Sequence, residues 1–234
     1  MPISHDSSTG AISTSTTAST SHSLGYGSGS NRIVVAYGLA FARKQTDSVI
    51  TSFTYNSVEG TYYGTVVSDP GANAPHVRVS AYYWLDSSLP SSSGSYTVSL
   101  TTSKATDCGF TVTSIIDAKQ QAPDAANSSG SDVGGTNYFS TSLTPNSVNA
   151  YLIDGACVRT SGTATVDSGQ TERYDANPGF NLSVCSTRPA TTIISYTMGW
   201  TCDAENWQDY AQYVTSWAPL AEVNNPLFAF AGLT

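Results

Sequence analysis

The sequence predicts an all-β protein, an antiparallel β-sandwich, and three observations predict it. Residues 33–41, IVVAYGLAF, are apolar almost without interruption. A β-branched cluster beside a Gly-Ser turn favours a strand buried on both faces over a helix. Further short segments rich in Val, Ile, Thr, Tyr and Phe recur along the chain, separated by Gly, Pro and Ser turns, which is the pattern of a sandwich. Finally, only 11% of the 234 residues are charged while 39% are hydrophobic, with 14 Tyr and 4 Trp. Polarity therefore comes from hydroxyls, which strands tolerate, and a chain of this length can bury a self-sufficient core.

The elements follow in order. Residues 1–20 are rich in Ser and Thr, and residues 1–11 read as a flexible N-terminal arm. A first strand then leads into residues 21–42, which read as strand, glycine turn, strand, with Gly25, Gly27 and Gly29 in the turn. The strands flanking this turn are expected to anchor two packed layers. In residues 48–56, Val49, Thr51, Phe53 and Tyr55 alternate onto one face. Residues 60–67 form another strand, and 68–75 (SDPGANAP) a loop. Residues 76–85 are apolar on both sides: Val77, Val79, Ala81, Tyr83 and Leu85 on one, Tyr82 and Trp84 on the other. Strands are expected at 96–100 and 110–116. Residues 118–135 lack periodicity and read as a long surface loop, or as a linker between two domains. Strands resume at 138–143, 148–158, 162–166, 181–185, 191–200 and 213–217, with one helical turn at 205–212. The sandwich domain thus spans residues 12–218.

Residues 219–234 break the pattern. Pro219 and Pro226 oppose regular structure, yet Leu227, Phe228 and Phe230 make the segment strongly apolar. It reads as a C-terminal arm that packs on its own domain or docks into a neighbouring subunit, by strand addition or in a groove.

Composition excludes several classes of partner. The net charge is −8, and the nine Lys and Arg never form a run, so no basic footprint for nucleic acid is present and an anionic membrane surface is disfavoured. No apolar run is long enough to span a bilayer. MPISHDSSTG lacks the basic start and apolar core of a signal peptide. Cys108, Cys157, Cys185 and Cys202 are widely spaced without a C-x-x-C, so zinc is not expected. Free buried thiols are one reading; one or two disulfides, in a protein working outside a cell, are the other.

No catalytic constellation emerges. The glutamates are Glu59, Glu172, Glu205 and Glu222, and the nearest carboxylate pair, Glu172 and Asp175, falls in a region read as a solvated loop. His5 lies in the leader, His22 has no partner at metal spacing, and His76 reads as a surface residue. There is no G-x-S-x-G elbow, and the glycines at 25, 27 and 29 miss dinucleotide spacing. Loop carboxylates such as Asp124, Asp132, Asp167 and Asp175 lack a dense Asp-Asn-Gly calcium loop. No metal and no cofactor are therefore expected. Tyr62, Tyr63, Trp84, Trp207, Tyr210 and Tyr213 are candidates for stacking on sugar rings, with core packing the default for each.

Several segments resemble a β-sandwich module shared by bacteriophage virion proteins and bacterial secreted proteins. They are the "GSGSNR" turn at 27–32 before the apolar strand, ITSFTYNS at 50–57, Tyr83-Trp84-Leu85, residues 94–101 after Pro90, Ser161–Thr165 with Gly169–Thr171, and the closing aromatic strand at 207–217. In that pattern, glycines stand where this chain has Asn56 and Ser57. The resemblance implies a jelly-roll-like fold and a role in recognition or packing. With the apolar terminal arm it leads to an expected non-enzymatic virion protein: capsid decoration or cement, or part of a tail or fibre. Leu227, Phe228 and Phe230 would contact copies of itself or shell and tail proteins, after synthesis in the host cytoplasm. The alternative is a carbohydrate-binding module that attaches to host-surface glycans.

Overall fold

The computed structural model describes residues 2–42, 49–68, 76–104, 107–131, 137–160, 162–177, 181–203 and 209–220. The strands are β1 (Ser4–Ser13), β2 (Thr17–Leu24), β3 (Ile33–Ala42), β4 (Ile50–Tyr55), β5 (Val58–Glu59), β6 (Thr61–Val67), β7 (His76–Leu85), β8 (Gly94–Thr102) and β9 (Cys108–Ile116). They continue as β10 (Ala125–Ser131), β11 (Tyr138–Leu143), β12 (Ala150–Val158), β13 (Ala164–Val166), β14 (Thr171–Ala176), β15 (Leu182–Ala190), β16 (Tyr196–Cys202) and β17 (Tyr210–Trp217). The fold is all-β and antiparallel, as predicted.

The strands form four layers, each half of the chain supplying two. In the first half an outer sheet, β2-β8-β4-β5, covers an inner sheet, β1-β9-β3-β7-β6. In the second half the inner sheet is β10-β17-β12-β15-β14 and the outer one β11-β16-β13. The two inner sheets pack on each other through Ile33, Val35, Tyr37, Leu39, Ile153, Tyr213 and Trp217, among others. A second core, with Val34, Ala36, Phe53, Trp84 and Phe110, joins the first pair of sheets. Two smaller clusters, around Trp200 and Met198, join the second pair. The expected two layers are thus four, because two buried strands, β3 and β12, each carry apolar side chains on both faces.

β3 and β7 behave as their alternation predicts. Val77, Val79 and Ala81, with Tyr83 and Leu85, face the central core, whereas Tyr82 and Trp84 face the first outer sheet. In β4 a bulge between Ile50 and Ser52 interrupts the expected face. Phe53 and Tyr55 are buried, Ile50 joins them, and Val49 and Thr51 are exposed. The β4–β5 turn needs left-handed backbone at Asn56 (φ 48°) and Ser57 (φ 65°). Asparagine tolerates that region well, so the turn survives without the glycines of the related pattern.

Four expectations are corrected. Most of residues 1–11, read as a flexible arm, lies in β1, an edge strand paired along its length with β9. Hydroxyl contacts such as Ser8 Oγ to Thr113 Oγ1 (2.9 Å) support it where apolar side chains are few. The glycine turn at 25–31 does not close a hairpin: β2 pairs with β8 in the outer sheet and β3 with β7 and β9 in the inner one, so the turn changes layers. Part of the expected 118–135 loop is β10, paired with β17; Asn127 and Ser129 donate to the β11 carbonyls of Ser142 and Ser140. Residues 210–212, expected as the end of a helical turn, begin β17. The C-terminal arm beyond Leu220 lies outside the described residues, and Leu227, Phe228 and Phe230 with it.

Candidate interaction surfaces

The groups with the richest chemistry are used internally. Asp154 on β12, which sequence reasoning passed over, is fully buried. Its Oδ1 accepts from Ser186 N (2.6 Å) and Ser186 Oγ (2.7 Å), and its Oδ2 from Trp200 Nε1 and Gln212 Nε2 (2.7 Å each). Burial pushes its pKa up while these donors pull it down. The carboxylate clasps the second outer sheet to its inner partner. A lone Asp inside the apolar run of residues 150–158 was the available signal, because a buried carboxylate in such a strand must find donors.

Arg32, also fully buried, makes a second knot. It pairs with Asp86 through Nε (2.6 Å) and Nη2 (2.5 Å), and its Nη1 donates to Tyr26 O (2.9 Å). Gln120 closes the ring: its Oε1 accepts from Asp86 N (2.7 Å) and its Nε2 donates to Arg32 O (3.1 Å). An open pocket of about 450 Å³ beside the knot is lined by Ser28, Leu85, Asp86, Ser87 and Gln120.

The histidines also sit inside structure. His22 is buried, with Nδ1 3.0 Å from the Tyr55 hydroxyl, and burial lowers its pKa to about 4. His5 lies on β1 with Nε2 2.9 Å from Ser8 Oγ. Burial, then the charge of Arg173, lowers its pKa to about 4. His76, expected at the surface, is buried at the start of β7, and among the described residues neither ring nitrogen has a hydrogen-bond partner. It is carried inward by its place in β7, whose backbone pairs it with Ala42 of β3. Glu172 and Asp175, expected in a loop, lie on β14; burial raises both, and Asp175 adds to the effect on Glu172. Among the described residues, no three His, Cys, Asp or Glu side chains gather as a metal site would require. All four cysteines are free and buried.

The aromatic candidates separate. Tyr62 is exposed on β6, its ring edge-on to Tyr82 at 5.5 Å, with Arg78 beside both. Tyr82 in turn meets Phe53 at 5.2 Å. Tyr63, the next residue along the strand, turns to the opposite face, toward the central core, and meets Tyr83 at 6.5 Å. Tyr210 stacks on Phe139 at 5.1 Å in the second half. Trp207 lies outside the described residues. Trp84 and Tyr213 are buried in cores, and the described candidates do not form one platform.

One end of the molecule carries a different feature. Leu143 pairs with Tyr196 in the second outer sheet, and Ala150 pairs with Ala190 in the inner sheet. The connections 144–149 and 191–195 therefore cross between layers side by side. Their large apolar side chains face solvent: Val148 is 54% exposed, Ile193 51% and Ile194 58%. The second connection is braced from below. Thr192 N donates to Tyr196 Oη (3.2 Å), and the Arg188 guanidinium lies 5.2 Å over the Tyr196 ring. The strand expected at 191–200 begins only at Tyr196, so the isoleucines, read as strand residues, lie in the connection instead; an Ile-Ile pair among Thr and Ser was the signal.

No family model and no curated protein matches the chain. Among solved structures, it aligns with a chain from the atomic structure of Sulfolobus turreted icosahedral virus at 9% identity, over 94% of this chain and 91% of that one, with a TM-score of 0.31. It aligns with the major capsid protein P2 of bacteriophage PM2 at 8% identity, over 92% and 99%, with a TM-score of 0.27. Oxalate decarboxylase from Bacillus subtilis aligns at 7% identity, over 92% and 74%, with a TM-score of 0.19. Likenesses this loose say nothing of what the chain does.

Proposed function

We propose that the chain is a non-enzymatic structural protein of a bacteriophage virion, as capsid decoration or cement or as a tail or fibre component, working by association with copies of itself and with shell or tail proteins. The observation that carries this reading is the braced cluster of Val148, Ile193 and Ile194, held in solvent on a block whose other apolar side chains largely fill cores. Exposed apolar clusters of this kind mark association surfaces. The four-layer stack supports it, since a rigid block transmits contacts made at its ends. The motifs that resemble virion modules support the setting. The test is mass spectrometry of gradient-purified particles from the source that encodes the chain. The chain is expected in a fixed ratio to the shell protein, and its absence from particles overturns the reading.

A second reading, a carbohydrate-binding module, is favoured by Tyr62, an exposed ring beside Arg78 at the rim of the first sandwich. It predicts glycan-array binding that Tyr62→Ser abolishes and Tyr63→Ser spares.

A further inference from the structure

We propose that the cluster of Val148, Ile193 and Ile194 is the receptor for the C-terminal arm of a neighbouring copy, engaged through Leu227, Phe228 and Phe230. This rests on the association reading and names its contact.

The first argument is area. Three aliphatic side chains at half exposure present on the order of a few hundred Å², well short of the roughly 800 Å² per partner of a stable interface between folded faces. Two copies meeting tip to tip would bury too little. An extended segment wraps such a tip and adds backbone and flanking contacts.

The second argument is chemistry. Neither connection, 144–149 or 191–195, carries a charged side chain, and neither does any residue from 223 to 234. An apolar, uncharged arm therefore meets an apolar, uncharged tip, in a chain whose net charge of −8 would otherwise repel a second copy.

The third argument is direction and reach. Past Trp217 the chain crosses the seam between the two inner sheets: Pro219 bridges Ala118, and Leu220 N donates to Asp117 O (2.9 Å). Its exit lies at the same end as the tip, since Trp217 pairs with Tyr151 and Ala150 with Ala190, on the side of the inner sheet that faces the first half. At about 3.3–3.6 Å per residue, Phe228 lies up to roughly 29 Å beyond Leu220, against a layer spacing of about 10 Å. A segment of that length reaches a copy packed beside this one as well as the chain's own tip, and mixing two variants separates the two. The contact is tip to arm, so it closes as a reciprocal two-fold exchange or runs on into rings or rows.

The test is complementation between full-length chains, read by native mass spectrometry and sedimentation velocity. One variant carries Ile193→Asp and Ile194→Asp; the other carries Leu227→Asp, Phe228→Asp and Phe230→Asp. Each alone is expected to shift the midpoint of self-association roughly tenfold or more toward higher concentration. An equimolar mixture is expected to form a 1:1 heterodimer, because one chain keeps its tip and the other its arm. Far-UV circular dichroism checks the fold, and Ile193→Ser with Ile194→Ser replaces the aspartates if they unfold the chain. Absence of the heterodimer, or wild-type assembly by the tip variant, overturns the inference. A wild-type chain that stays monomeric yet occurs in particles also overturns it while leaving the association reading intact; a monomer absent from particles removes both.

Discussion

Gly155 on β12 lies against the ring of Tyr37 on β3: a Cβ at that glycine would stand 2.3 Å from Tyr37 Cγ. The hydroxyl of the same tyrosine donates to Ile153 O (2.7 Å) and lies 2.7 Å from Thr215 Oγ1. The two inner sheets are therefore locked where one strand gives up its side chain. Gly64 against Tyr213 and Gly10 against Tyr174 repeat the arrangement toward the two edges.

Gly155→Ala should destabilise the protein by about 1–3 kcal/mol, the range for overpacking a filled core. The ring is fully buried and its hydroxyl is held, so it cannot swing away. Urea denaturation checks this; an unchanged midpoint would show that the inner sheets slide freely.

Asp86→Ala should cost more than removing both partners of the buried ion pair. Alone it leaves the Arg32 guanidinium, fully buried, without its carboxylate, worth about 3–5 kcal/mol. Arg32→Met with Asp86→Ala should recover much of that loss. Comparing the two unfolding free energies decides the matter, and equal losses would contradict it.

The buried histidine makes stability fall in acid. Burial holds His22 at about 4, against an ordinary value of 6.5. A depressed group contributes stability that is present above the unfolded value and lost as pH falls through the folded one. The loss should therefore run between about pH 6.5 and 4 and amount to roughly 3 kcal/mol. His5, partly buried, is depressed to about 4 as well and adds in the same direction. His22→Gln should flatten the pH dependence of the unfolding free energy over that window; an unaltered slope would place its source elsewhere.

The thiols should be inert in the folded chain. Burial pushes Cys108 up to about 11 and Cys185 and Cys202 up to about 12, and raises Cys157 as well. Thiolate is the reactive form, so a thiol reagent should label no cysteine at neutral pH and all four in denaturant. Fewer than four after denaturation would restore the disulfide alternative.

What was legible in the sequence follows from which forces leave a periodic trace. Alternation along residues 77–85 separated Val77, Val79, Ala81, Tyr83 and Leu85 correctly from Tyr82 and Trp84, because both faces of β7 are apolar and the period is two. Layer count was not legible: a strand apolar on both faces is the same in the middle of two layers' partners or of four. The sheet change at residues 25–31 was hidden because a glycine turn serves a hairpin and a crossover alike, and long-range pairing with β8 decides between them. Asp154 was passed over because its four donors come from Ser186, Trp200 and Gln212, distant in sequence.

β1 is the sharpest of these cases and carries the last prediction. Its residues are small and hydroxylic, so composition argued for disorder, and no apolar period opposed it. Yet the backbone pairs with β9 from Ser4 to Ser13, Ile3 is buried, and Asp6 accepts from Gly25 N (3.1 Å) and Ser114 Oγ (2.8 Å). Backbone hydrogen bonds to a buried neighbour replace side-chain burial as the source of order, which hydropathy cannot register. Hydrogen exchange should therefore find the amides of β1 that bond to β9 protected well above those of an unstructured peptide. Asp6→Ala should raise their exchange rates by roughly tenfold, for the loss of about 1–2 kcal/mol in local hydrogen bonding. The amides of β12, whose neighbours β15 and β17 flank it on both sides, should be unaffected. Exchange of the β1 amides at peptide rates in the unmodified chain would return the segment to a loose arm.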